Sequence, residues 1–163
     1  TNNKKLRDKL LMIRNHGMLK GYDTRLLGLN LRLPEINAAI ATVQMKKLPK
    51  FLKTREKNAK LLSKLLSKSN LDLPVERKNE NVNWYLYTIS TSKRNMLLKK
   101  LNAKGIGAAS YYPIPVHKTP FYKSKTKLPI TDWAASSVLS LPIHPKVTAK
   151  NIEFIAKTVS EIL

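Results

Sequence analysis

Two short stretches carry the side chains best placed for chemistry. The first is Gly28-Leu29-Asn30-Leu31-Arg32-Leu33-Pro34-Glu35-Ile36, where a carboxamide and a guanidinium stand two residues apart just ahead of a helix start. Pro34 suits a first helical position, because its missing N–H would have no intrahelical partner there. Glu35 then puts a negative charge where the helix dipole favours one. Leu33 has no oxygen to cap with, and a Ser or Asp there would be better by roughly 1 kcal/mol. The segment therefore holds polar groups free for an outside partner such as an anion. Pattern alone favours the plainer alternative, a turn containing Asn30 followed by a solvated Arg32.

The second stretch is Tyr112-Pro113-Ile114-Pro115-Val116-His117-Lys118-Thr119-Pro120-Phe121-Tyr122. Its prolines stiffen the backbone, so Tyr112 and His117 can offer hydrogen bonds from one side of a cleft. A surface loop with ordinary packing aromatics is the competing reading. Arg25, between Gly21 and Gly28, reads as a solvated arginine on a loop. His16 sits in a helix-ending turn and His144 between prolines, and both read as structural.

The elements that position these groups follow from periodicity. Lys4 to Arg14 reads as a helix with Leu6, Leu10, Leu11 and Ile13 on one stripe, stopped by Asn15-His16-Gly17. Met18 to Leu27 has no period and reads as a loop. Leu33, Ile36, Ile40 and Val43 mark a helix running to about Leu48, where Pro49 predicts a break or a fresh start. A second stripe, Leu48, Leu52, Ala59, Leu62 and Leu66, follows. Both stripes suit burial against a sheet or another subunit. Val82 to Ser90 predicts a central strand, and Ser92 a cap for a helix over 93–104 ended by Gly105. Ile106 to Tyr112 reads as a second strand, 131–137 as a short helix, and Val138 to Pro145 as a third strand. Thr148 caps a last helix with Ile152, Ile155, Ala156 and Val159 inward. The pattern is an α/β sandwich on a minimal three-stranded, mainly antiparallel sheet.

Composition limits the chemistry available. The chain has 163 residues, one domain's length, with 42% apolar residues and no cysteine. Disulfides, thiolate metal sites and a cysteine nucleophile are thereby excluded, and no metal ligands are nominated. No apolar run reaches the roughly 20 residues needed to span a bilayer, so the expectation is a soluble, cytoplasmic protein without membrane contact. Lys and Arg number 31 against 10 Asp and Glu, a net charge of +21. Such a surplus attracts polyanions. Yet Lys46, Lys50, Lys53, Lys57, Lys60 and Lys64 punctuate helical segments as a solvated face would. No nucleic-acid-binding signature accompanies them, so a solvated surface is favoured over a nucleic-acid face.

Four stretches, in order, resemble one family. Gly28 to Ala41 is similar to the G-x-N-x-R-x-x-E-I-x-A-A-I segment of the DegT/StrS-type sugar aminotransferases. Thr1–Gly17 resembles their T-N-D-x-x-L-x-x-K-L-x-x-L-R-N-H-G run. Gly105 to His117 resembles G-I-x-x-x-x-x-Y-P-x-P-x-H, and Leu139 to Pro145 resembles L-S-L-P-x-H-P. The resemblance implies a pyridoxal-phosphate enzyme of the aspartate-aminotransferase-like type I fold. Such enzymes aminate keto sugars carried on nucleotides, with glutamate as the usual donor, for polysaccharide, cell-surface or antibiotic sugars. It further implies a dimer with shared active sites. Asn30 would donate to the phosphate of the neighbouring subunit's cofactor, with Arg32 supporting that region. Tyr112 and His117 would line the sugar side, and Arg25, on a loop beside the active site, would be in reach of a phosphate.

In the family, the Schiff-base lysine, its Gly-rich loop and the Asp facing the pyridine nitrogen all precede the segment matching Thr1. No lysine of this chain stands in that context, so no catalytic residue is nominated. The resemblance thus implies a C-terminal portion. Residues 1–50 would end the large cofactor domain, and 51–163 would form the connecting helix and the small domain. Acting alone it is expected to be inactive, needing a homodimer mate or an N-terminal half that carries the lysine. The alternative is a repurposed basic module contacting nucleic acid or an acidic protein.

Overall fold

The computed structural model describes residues 1–163, which divide into two compact units, Thr1–Lys47 and Leu48–Leu163. In the first, α1 spans Lys4–Arg14 and is capped by the Asn3 side chain, which accepts from the Leu6 N–H at 3.1 Å. It ends where expected, with His16 and Gly17 both at positive φ, 57° and 74°. The expected loop over 18–27 contains instead a small antiparallel hairpin, β1 (Met18–Lys20) and β2 (Asp23–Thr24). Its strands are too short to show a period in sequence, and Gly21 makes the turn at φ 56°. The predicted stripes of this unit face solvent within the chain: Leu6, Leu10, Ile36, Ile40 and Val43 are all exposed.

The long helix α2 runs without interruption from Glu35 to Leu66. The break predicted at Pro49 does not occur. Proline there removes one backbone bond and crowds the preceding turn, at a cost of about 3 kcal/mol. Only one backbone donor is lost and the turns on either side keep theirs, so the helix carries on; its C-terminal turns bury Ala59, Leu62 and Leu66 completely. The lysines from Lys46 to Lys64 are exposed, the solvated face their spacing implied.

The second unit has the apolar core. Strand β3 (Tyr87–Ser90) pairs antiparallel with β4 (Val138–Leu141), in register Tyr87↔Leu141 to Ser90↔Val138. Helices α3 (Arg94–Ala103) and α5 (Ala149–Ile162) supply Leu97, Leu101, Ile152, Ile155 and Val159 to the same core. Asn58 ties α2 to the loop after β4, donating to the carbonyls of Ile143 (3.3 Å) and Val147 (3.0 Å). The mixed α/β architecture with antiparallel pairing is as expected, but all three strands are shorter than predicted, β4 ending at Leu141 rather than Pro145. Residues 82–86 leave the strand because Trp84 takes φ 50°, and the Arg55 guanidinium holds the turn by donating to the carbonyls of Trp84 and Tyr85. The third strand, expected over 106–112, is reduced to one bridge, Ala109↔Ser140. A second bridge, Asp72↔Ser90, flanks the other edge.

Caps account for the remaining differences. Ser92 does not cap α3; Lys93 occupies that position without a side-chain bond. Helix α4 starts earlier than predicted and spans Pro129–Ser137 with Pro129 in its first turn. Thr148 does cap α5, in a reciprocal box with Asn151. No helix is long and apolar enough to cross a membrane.

Candidate functional site

In the first unit the Asn30 segment is fastened to the end of α1 through backbone alone. Leu29 N–H donates to Ile13 O (2.8 Å), His16 N–H to Leu29 O (3.0 Å) and Leu31 N–H to Arg14 O (2.9 Å). The pairing is close because two glycines meet. A Cβ on Gly28 would lie 2.0 Å from the Gly17 nitrogen, and one on Gly17 would lie 1.7 Å from Leu26 O. Only hydrogen at both positions lets the strands approach this way. Asn30 thereby bridges Asn15 and keeps its side chain exposed. Arg32 lines a hollow of about 390 Å³ together with Asp8, Arg14 and Asn15. Arg25 is engaged locally, its Nε donating to Asp23 Oδ2 at 2.7 Å, two residues back on the same arm of the hairpin.

In the second unit Tyr112 and His117 line one hollow of about 540 Å³, with Tyr111, Tyr122 and Leu128 among its other walls. Tyr112 has φ 55° and is 75% exposed. His117 lies on a single 3-10 turn, Val116–Lys118, and its Nε2 is shielded from solvent with no partner. A shielded, unpaired imidazole nitrogen costs about 1–3 kcal/mol, which a hydrogen-bonding ligand would recover. Lys118 pairs with Asp132 at 2.7 Å, joining this turn to α4.

Motif reading missed Arg94, which is only 5% exposed. Its Nε donates to Ser136 O (3.0 Å), its Nη2 to Ala135 O (2.8 Å) and its Nη1 to Ser110 Oγ. One signal could have found it. Arg94 falls on the same helical stripe as the buried Leu97 and Leu101, where a solvated arginine would not sit.

No lysine is placed as a buried nucleophile, for every lysine in the chain is exposed. Nor do three or more His, Asp or Glu side chains gather as a metal site.

Compared with known structures, the fold is that of the C-terminal part of an aminotransferase. DesV from S. venezuelae superposes on 99% of the chain with a TM-score of 0.93 at 31% identity, using 45% of its own length. The chain belongs to the DegT/DnrJ/EryC1/StrS aminotransferase family, whose model matches residues 1–160. Among curated relatives, a Streptomyces venezuelae protein named dTDP-3-amino-3,4,6-trideoxy-alpha-D-glucose transaminase is 34% identical over 89% of the chain and 40% of its own length. A Geobacillus stearothermophilus protein named pleiotropic regulatory protein is 33% identical over 99% of the chain and 45% of its own length. The chain thus spans less than half the length of the relatives it matches.

Proposed function

We propose that this chain is the C-terminal portion of a pyridoxal-phosphate aminotransferase that moves an amino group, from glutamate, onto a nucleotide-linked keto sugar. The observation that carries this reading is the family match across residues 1–160. Residues 1–50 would close the cofactor domain and 51–163 would form the connecting helix and small domain. The Schiff-base lysine would come from outside residues 1–163, upstream on the same polypeptide or from a separate chain.

The donors present suit the cofactor's phosphate. The Asn30 carboxamide and the Arg32 guanidinium are exposed on a backbone that cannot shift without breaking three hydrogen bonds. An amide N–H to a phosphate oxygen is charge-assisted, and a planar guanidinium can engage two such oxygens at once. Asn30 and Arg32 would hold that phosphate for a dimer mate. When bound, the cofactor supplies the electron sink that allows amino transfer. His117 Nε2 and the Tyr112 hydroxyl would orient the sugar from the second unit's hollow. Arg25 would assist a phosphate only after releasing Asp23.

The experiment joins this chain to a lysine-bearing N-terminal part and measures glutamate-dependent amination of a dTDP-linked keto sugar. Asn30→Ala in that assembly removes one charge-assisted bond, about 1.5–3 kcal/mol, so coenzyme affinity falls roughly 10- to 100-fold. Unchanged coenzyme retention would overturn the role of Asn30, and an assembly with no aminotransfer would overturn the reading itself.

A further inference from the structure

We propose that Arg94 is the positioning residue for the tyrosine wall of the second unit's hollow, acting through Ser110. The inference rests on reading that hollow as the substrate's binding surface. Arg94 does not line it. It is buried in the core side of α3, and its donors reach the backbone of the segments that do.

At its C-terminus a helix such as α4 leaves its last carbonyls in need of partners from outside the helix. Here each has one. Ala134 O accepts from Val138 N–H, Ala135 O and Ser136 O accept from Arg94, and Ser137 O accepts from Thr91 N–H at 3.1 Å. A buried guanidinium without a carboxylate is costly, but these carbonyls carry the negative end of the helix dipole and so offset the charge. Three acceptors in three directions need the guanidinium fork; an ammonium on a flexible stem could not hold all of them together.

The third acceptor gives the arrangement its reach. Ser110 Oγ accepts from Arg94 and donates to Val138 O at 3.1 Å, so its proton and one of its two lone pairs are committed. The residue before it is stitched to β4, with Ala109 N–H on Ser140 O (3.1 Å) and Ser140 N–H on Ala109 O (2.7 Å). From Tyr111 onward the chain leaves the sheet. Tyr112 holds φ 55°, a region bulky residues occupy only where their surroundings dictate it. Ala135 and Val138, bonded to Arg94 and Ser110, line the same hollow as Tyr111 and Tyr112. One side chain therefore sets the separation between the hollow's α4 wall and its tyrosine wall.

A helix cap and nothing more would leave Tyr112 unaffected when only Ser110 is changed, and this separates the two roles. In the full chain, backbone ¹⁵N order parameters of Tyr111 and Tyr112 are measured for the parent, Ser110→Ala, Ser110→Thr and Arg94→Lys. Ser63→Ala, which breaks a hydrogen bond elsewhere in the same unit, serves as control. The expected result is a fall from about 0.85 to below about 0.6 in Ser110→Ala and Arg94→Lys, with parent values in Ser110→Thr and the control. Unchanged order parameters in Ser110→Ala and Arg94→Lys overturn the inference. In the assembled enzyme, Ser110→Ala should raise KM for the dTDP-linked keto sugar about tenfold with kcat held within about twofold. An active enzyme whose KM does not move also overturns it. An unsubstituted assembly with no aminotransfer counts against the aminotransferase reading instead, and the order parameters alone then decide for or against the role of Arg94.

Discussion

Replacing Gly28 by alanine tests whether close backbone approach is what holds Asn30 in place. The added Cβ would sit 2.0 Å from Gly17 N and 2.5 Å from His16 C, about 0.5–1 Å inside any tolerable contact and against main chain on both counts. A flexible side chain could yield, but here the strand 29–31 must move away from 13–16. Three backbone hydrogen bonds of 2.8–3.0 Å span that pair. At about 1 kcal/mol net each, losing two or three destabilises the segment by roughly 2–3 kcal/mol. Opening of the segment should then be about 30- to 150-fold more frequent. The assay is amide hydrogen exchange of Leu29 and Leu31 in the full chain, with Gly107→Ala as the comparison, since a Cβ there meets nothing within 4 Å. Exchange at Leu29 and Leu31 in Gly28→Ala within about threefold of the parent would refute the argument. In the assembled enzyme the same substitution should cost coenzyme affinity as well, because Asn30 would leave with its backbone.

Pro49→Ala should stabilise the chain, by up to about 3 kcal/mol, since it restores a backbone donor inside a helix already continuous there; a lower denaturant midpoint would contradict this. Thr148→Ala removes one half of the α5 capping box and should cost about 1 kcal/mol, read as a fall of roughly 2–4 °C in Tm. Tyr87 is fully buried, and burial pushes its hydroxyl pKa above the ordinary 10, against a smaller opposing effect of its hydrogen bond with Ser63. The folded state then keeps that proton when the unfolded chain has released it. Its contribution is complete below pH 10 and is lost as pH rises through the folded value. Alkaline denaturation of Tyr87→Phe should accordingly lack part of that slope, and equal slopes would count against it. Leu62→Ala, at a fully enclosed site in α2, should lower stability by about 2–5 kcal/mol in urea unfolding.

Local physics was sufficient for much of this chain. Asn15-His16-Gly17 ends α1 because glycine accepts the left-handed conformation, and Thr148 caps α5 because its hydroxyl can reach Asn151 N–H. The stripe Ile152, Ile155, Ala156 and Val159 named its buried face by spacing alone. Residue type and family resemblance single out Asn30 and Arg32, but nothing in the sequence shows what holds them. Tertiary structure decided what depends on distant residues. Pro49 lies inside an unbroken α2, because one lost backbone donor does not stop a helix whose neighbouring turns are complete, although sequence reading treats that penalty as final. Trp84 leaves its strand for a turn held by Arg55, twenty-nine residues away, and Ile106 to Tyr112 contributes one bridge where periodicity implied a strand. The contact between Gly17 and Gly28 and the three-way reach of Arg94 are likewise invisible in one dimension. Each arises where segments far apart in the chain come within ångströms of each other, and only the folded backbone fixes which carbonyls a buried donor will find.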